Sequence, residues 1–241
     1  MQEALGNHLK HQKTNNKNQD KLVQFQLSEL DDVFHSDVFS PEALIAILKR
    51  WYPETYNQDA GVSEGYTLEE HTLMVMKQFE KYYGDKTLPA EVDKNKFRLI
   101  LALHDIGKPE AISRGNKLLQ HKCTILIIKK LFSILGIDEK HTYIALQLIS
   151  GDPIGKYLKS SLNKIQTRKI VEEMSNKAKI PANEFFKLLC IYYKVDAGSY
   201  TENAGGFKSL DYLFNFDEVK HELGFASDIQ MKIDQLGFNK E

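Results

Sequence analysis

The sequence predicts an all-α fold, and three observations carry the prediction. Apolar residues recur at three- and four-residue spacing in one segment after another. Those segments open at Ser, Thr, Asp or Pro and close at Gly or ahead of Pro. No stretch alternates apolar and polar residues for long enough to read as a strand.

Residues 1 to 20 are polar, rich in Lys, Asn, Gln and His, and offer too little apolar surface to offset the entropy of ordering, so they read as a disordered or frayed tail. His8 and His11, three apart in that tail, read as solvated side chains. Residues 21 to 241 are expected to form a single helical domain with terminal helical additions. A mixed amphipathic piece runs from Leu22 to Phe39. Ser40-Pro41 then opens a helix through Leu44, Ile45 and Leu48, with serine as cap and proline in the first turn, and Trp51-Tyr52-Pro53 ends it. After a loop from Tyr56 to Gly65, Thr67-Leu68-Glu69-Glu70 has the form of a capping box. It starts a helix that carries His71, Met74, Val75 and Phe79 on one stripe and closes at Gly84. Lys94 to Ile106 is the next expected helix. Gly107 suits a left-handed residue after its last turn, Pro109 stops it, and Glu110 to Lys117 reads as a loop. His121, Ile125, Ile128 and Phe132 lie along a further helix ended by Gly136. Asp138 caps a helix through Ile144, Ala145 and Leu148, and Gly151-Asp152-Pro153 breaks it. An amphipathic helix spans about Leu162 to Ala178. Pro181 opens one on which Leu189, Tyr192, Tyr193 and Asp196 share a side. Beyond Gly205-Gly206, two short helices are expected, around Leu210 to Phe214 and Ile229 to Leu236.

Composition narrows the function. With 32 basic and 33 acidic side chains, the formal charge of -1 gives no global pull towards nucleic acid or membranes, so an anionic partner has to be recognised locally. No apolar run is long enough to span a bilayer, and the N-terminal residues have no signal-peptide core. A cytoplasmic location and no membrane partner are therefore expected. Cys123 and Cys190 sit among helical apolar residues and read as small buried hydrophobes in a reducing compartment; their number excludes a cysteine-type zinc site.

His71, His104, His121 and Asp196 are each the polar member of an otherwise apolar helical stripe, on four separate helices, and Asp105 adjoins one of them. A single buried histidine is commonly a satisfied core residue, whereas imidazoles and carboxylates converging in a helical core are the donors of a divalent metal such as Mn, Fe, Co, Ni, Zn or Mg. The local alternatives are ion pairs, Asp105 with Lys108 and Asp196 with Lys194.

The run Leu101-Ala102-Leu103-His104-Asp105-Ile106-Gly107-Lys108-Pro109, with His71 before it and Asp196 after it, resembles the signature of the HD-domain superfamily of metal-dependent phosphohydrolases. Its His-Asp-Ile-Gly-Lys-Pro, followed by His121, is most similar to HD domains associated with tRNA nucleotidyltransferases. The resemblance covers about residues 66 to 201. It implies an HD-domain helical bundle with His71, His104, Asp105 and Asp196 as metal ligands. It also implies hydrolysis of a nucleotide-like or RNA-end phosphate ester, by a phosphodiesterase or phosphomonoesterase, with Asp105, His121 and Lys108 in the catalytic site. In two-metal relatives His121's position binds a second ion; in one-metal relatives it faces the substrate phosphate. The following histidine of two-metal relatives is replaced here by Ser150-Gly151-Asp152, so one ion is expected, with Asp152 as a turn residue or an oxygen donor.

Lys108 and Arg114 are suited to hold phosphate oxygens, lysine as a point charge and arginine as a fork. Tyr200 and Thr201 follow Asp196 closely enough to line the same pocket. There is no glycine-rich phosphate loop ending in Lys-Ser/Thr, and the polymerase part of the tRNA nucleotidyltransferases is absent. The alternative from a different class is a non-catalytic HD module that binds a nucleotide or RNA end and regulates a partner. Substrate identity and oligomeric state lie outside what the residues specify.

Overall fold

The structure, a computed structural model, describes residues 28–60, 65–199 and 210–238. The tail 1–20, Tyr200, Thr201 and Gly205-Gly206 lie outside them. The architecture is mostly helical, as expected for an all-α protein. The chain divides into two compact units, Met1–Trp51 and Tyr52–Glu241.

In the first unit, α1 (described over 28–34) is followed by α2 (Pro41–Trp51), whose cap is the anticipated serine: Ser40 Oγ accepts from Ala43 N at 3.1 Å. Arg50 on α2 pairs with Glu29 on α1.

The second unit begins with the short α3 (Pro53–Tyr56) and then α4 (Leu68–Tyr83), entered through a complete Thr67/Glu70 capping box. After a 3-10 turn come α5 (Lys94–Leu103), capped by Asp93, and the short α6 (Lys108–Ser113). Next are α7 (Gln120–Ile134), α8 (Glu139–Ile149) and α9 (Pro153–Leu158), the last two capped by Asp138 and Asp152. The helical part closes with α10 (Lys164–Ala178) and α11 (Ala182–Ala197). Helices α4, α5, α7, α8, α10 and α11 pack on one another around Phe79, Phe97, Ile100, Phe132, Ile144 and Phe185, all buried. Gly136, the expected terminator of α7, follows the helix with a left-handed φ of +63°.

Three local expectations are corrected. The helix carrying His104 ends at Leu103, and the residues expected to form a loop after Pro109 make α6, with Pro109 in its first turn where it removes no needed donor. Gly107 is not left-handed: its φ is -88° and ψ -4°. Glycine is required there by close approach, since an added Cβ would sit 2.1 Å from Thr124 N. Finally, the region around Phe214 is not helical. β1 (Phe214–Asp217) and β2 (Glu222–Phe225) form an antiparallel hairpin pairing Phe214 with Phe225 and Phe216 with Leu223, followed by α12 (Ser227–Gln235). Its strands are too short to show an alternating pattern, and His221, at φ +51°, takes the turn conformation usually left to glycine or asparagine. The hairpin is tied to the bundle at Leu223 O, which accepts from Tyr83 Oη of α4 at 3.2 Å and Lys194 Nζ of α11 at 2.9 Å, and at its turn, where Tyr82 Oη donates to Glu218 at 2.7 Å and Lys86 Nζ to His221 O at 3.0 Å.

Candidate metal centre

His71 occupies the first turn of α4 because the capping box fixes where the helix starts, and its stripe turns the ring into the core, where it is fully buried. His104 and Asp105 sit in the turn between α5 and α6. Tyr56 Oη holds that end of α5 by donating to Ala102 O at 2.9 Å, and Arg98 forks onto Glu80 of α4 at 2.9 and 2.6 Å, fixing α5 against α4. Asp196 lies in the last turn of α11, which Gln78 of α4 secures by donating to Gly198 O at 3.2 Å.

The side chains meet. His71 Nε2 and His104 Nε2 are 3.2 Å apart, and Asp105 Oδ2 is 3.6 Å from each. Asp196 Oδ1 lies 3.4 Å from His71 Nε2 and 3.6 Å from His104 Nε2. Ligand atoms bonded to one ion at about 2.0–2.2 Å stand roughly 3.0–3.5 Å apart, and His71, His104 and Asp105, at 3.2 to 3.6 Å, come close to that spacing. The His104 tautomer also fits. Nδ1–H donates to Leu101 O at 2.7 Å, which leaves the Nε2 lone pair facing the other donors. His71, His104 and Asp105 together can hold a metal ion.

The electrostatics favour ionised carboxylates. Burial pushes Asp105 up, but His104, Lys108 and His71 outweigh it and hold its pKa at about 2. Lys108 Nζ donates to Asp105 Oδ2 at 2.9 Å, so the expected local pair forms, within the same group as the imidazoles. Asp196 does not pair with Lys194, which turns to the hairpin. Burial raises its carboxyl, and the His71 and His104 rings bring it below the ordinary range.

A cavity of about 630 Å³ opens over this group. His104, Asp105, Lys108, His121, Asp152 and Asp196 all line it, bringing together most of the residues singled out from the sequence. Arg114 is elsewhere: it is exposed, pairs with Glu110 one turn back and does not line the cavity. Tyr200 lies outside the described residues. His141 is structural, accepting from Asp93 N through Nε2 at 3.1 Å while Nδ1 meets the Asp138 carboxylate.

The sequence did not mark Gln120, Lys159, Tyr212 or Leu213 as wall residues, and it gave Tyr192 only as part of a stripe. The Tyr192 ring stands edge-on to His104 at 6.4 Å, and burial beside Asp196, Asp105 and Asp152 raises its pKa so far that the phenol stays protonated. A helix-spacing count from Asp196 locates Tyr192 one turn back, the only signal available for it. Gln120, Lys159, Tyr212 and Leu213 come from turns and helix ends whose placement periodicity does not give. No protein-family model, curated protein or solved structure matches the chain.

Proposed function

We propose that the chain is a metal-dependent phosphohydrolase of the HD-domain type, hydrolysing a nucleotide-like or RNA-end phosphate ester. The observation that carries the reading is the gathering of two imidazole nitrogens 3.2 Å apart, from α4 and the α5–α6 turn, with an oxygen of Asp105 and one of Asp196 each 3.4 to 3.6 Å from both, beneath a cavity with a lysine and a further histidine in its wall. In this reading Asp196 is the fourth ligand, beside His71, His104 and Asp105, and one ion binds. A divalent ion held there supplies Lewis acidity, making water acidic enough to ionise near neutral pH and screening phosphoryl charge.

The protein's own groups do the rest. Lys108 is buried with one N–H on Asp105, so it fixes that carboxylate and has further donors for a phosphoryl oxygen. The protonated Tyr192 phenol is a second donor beside the imidazoles. In this reading His121, half-exposed at the start of α7 and in the same cavity wall, holds the phosphate.

The test is metal analysis combined with assay on bis-p-nitrophenyl phosphate and a panel of nucleotides. We expect one divalent ion per chain, and loss of both ion and turnover in Asp105→Asn, by more than the roughly 10–100-fold typical of second-layer partners. Metal with tight nucleotide binding but no turnover on any ester would overturn hydrolysis in favour of a regulatory binding module. Metal content unchanged in the double variant His104→Ala, Asp105→Ala would leave a helical protein without a metal centre.

A further inference from the structure

Between Glu110 and Asp138 the chain has no acidic residue, the longest such stretch in a sequence with 33 Asp and Glu, yet it has Arg114, Lys117, Lys122, Lys129 and Lys130. Much of that charge is displayed by α7. Lys122, Leu126, Lys129, Lys130 and Ser133 are all exposed and share one side of the helix. Among the described residues Lys122, Lys129 and Lys130 form no ion pair. Helix α7 packs on α6 and α8, and the carboxylates of those two helices and of the α8 cap are engaged elsewhere. Glu110 pairs with Arg114, Asp138 with Lys96 and His141, and Glu139 with Lys179 and Tyr143. The exposed stripe of α7 is a positive face.

One exposed lysine is ordinarily a solvated side chain, but the place of this stripe gives it a direction. Gln120 and His121, the first two residues of α7, line the cavity over the metal-binding group, and Lys122 comes next. From Lys122 to Lys130 the charges then run about 12 Å along the helix axis. A nucleic-acid strand with a phosphate roughly every 3.4 Å lays about three against that length. A lipid surface is the rival partner for a basic face, and the exposed Leu118, Leu126 and Ile134 would suit it. Those three are spaced too widely to join in one apolar face, and the broad apolar side of α7, with Ile128, Leu131 and Phe132, is buried in the bundle. The charge is what the stripe offers.

Resting on the phosphohydrolase reading for what happens at the metal centre, we propose that Lys122, Lys129 and Lys130 hold the backbone of a single-stranded nucleic acid along α7. The ester delivered to the cavity is then the end of a strand rather than a free mononucleotide. A chain with a formal charge of -1 attracts such a polyanion through a local face of this kind.

The test titrates the full chain with unlabelled deca-adenylate by calorimetry at several salt concentrations, with chelator present so that the strand is not consumed. The strand should bind about 10-fold or more tightly than adenosine 5′-monophosphate. In the triple variant Lys122→Gln, Lys129→Gln, Lys130→Gln that advantage should be lost. The slope of log affinity against log salt should shrink by about 2, at roughly 0.7 per phosphate contact. Each single variant should shrink it by about 0.7, which decides the matter if the triple variant folds poorly. Turnover of bis-p-nitrophenyl phosphate by the metal-loaded chain should not change, because none of the three lysines lines the cavity. An unchanged slope and affinity in the variants overturns the proposal, as does a wild-type chain that binds the strand no more tightly than the mononucleotide. Lysine-dependent binding to phosphatidylserine vesicles without strand binding overturns it in favour of a lipid surface. The two readings fail separately. Strand binding without turnover of any ester removes the phosphohydrolase and keeps the strand, and ester turnover without strand preference does the reverse.

Discussion

Two histidines of this chain show how hydrogen bonding assigns roles. His104 donates from Nδ1 to a helix carbonyl and presents Nε2 to the cluster, whereas His141 has both ring nitrogens occupied by Asp138 and the Asp93 N–H and does not line the cavity over the cluster. Sequence spacing places both on apolar stripes; only their partners tell a ligand from a core residue. Asp138 itself joins three groups: it caps α8, holds the His141 ring and meets Lys96 Nζ of α5 at 2.6 Å. Burial raises its carboxyl, but the Lys96 and His141 hydrogen bonds prevail and hold it well below the usual carboxylate range. A depressed folded pKa means the stabilisation is complete above the unfolded value of about 3.9 and is lost as pH falls through the folded one. Asp138→Asn keeps the cap and removes the charge. Denaturant titrations should therefore show wild type more stable than the variant at pH 6, with the gap closing as pH drops below about 4. The carboxylate is 46 % exposed, so screening keeps that gap to about 1 kcal/mol or less.

Helix α7 depends on a single atom's absence. Gly107 N donates to Thr124 Oγ1 at 3.0 Å, and a Cβ on residue 107 would meet Thr124 N at 2.1 Å and Cys123 C at 2.6 Å, backbone that cannot rotate away. Gly107→Ala must displace α7 from the turn that bears His104 and Asp105. The expected cost is about 1–3 kcal/mol, as for an overpacked core, read as a lower melting temperature together with weaker metal binding. A variant melting like wild type would show that α7 yields freely. The sequence singles out Gly107 as unusual but not why, because a left-handed turn and a close helix contact both call for glycine. The hairpin was hidden for a related reason. Phe214, Phe216, Leu223 and Phe225 give each strand only two inward residues, fewer than a period-two pattern needs, and what holds them is packing on Tyr193 of α11 and Tyr82 of α4.

In the unit from Tyr52 to Glu241, the candidate metal site spans three separate stretches of chain, so an ion bound there favours the folded state over the unfolded one. At a hundred times its dissociation constant a divalent ion should add about 2.7 kcal/mol, which raises the melting temperature by roughly 5–10 °C. Chelator should reverse the shift and Asp105→Asn should abolish it; a melting temperature indifferent to metal would count against the centre. Cap residues and apolar spacing sufficed to give the helical class, the starts of α4, α8 and α11, and the stripes that turn His71, His104 and Asp196 inward, because these depend on neighbours within a turn or two. Which of those side chains meet was decided by helix packing. Contacts 33 positions apart for His71 and His104, or 120 for Gln78 and Gly198, follow from how helices cross. The same packing kept Arg114 out of the cavity and brought Asp152 and Tyr192 into its wall, since whether a loop charge faces solvent or a cavity is set by the helices packed around it.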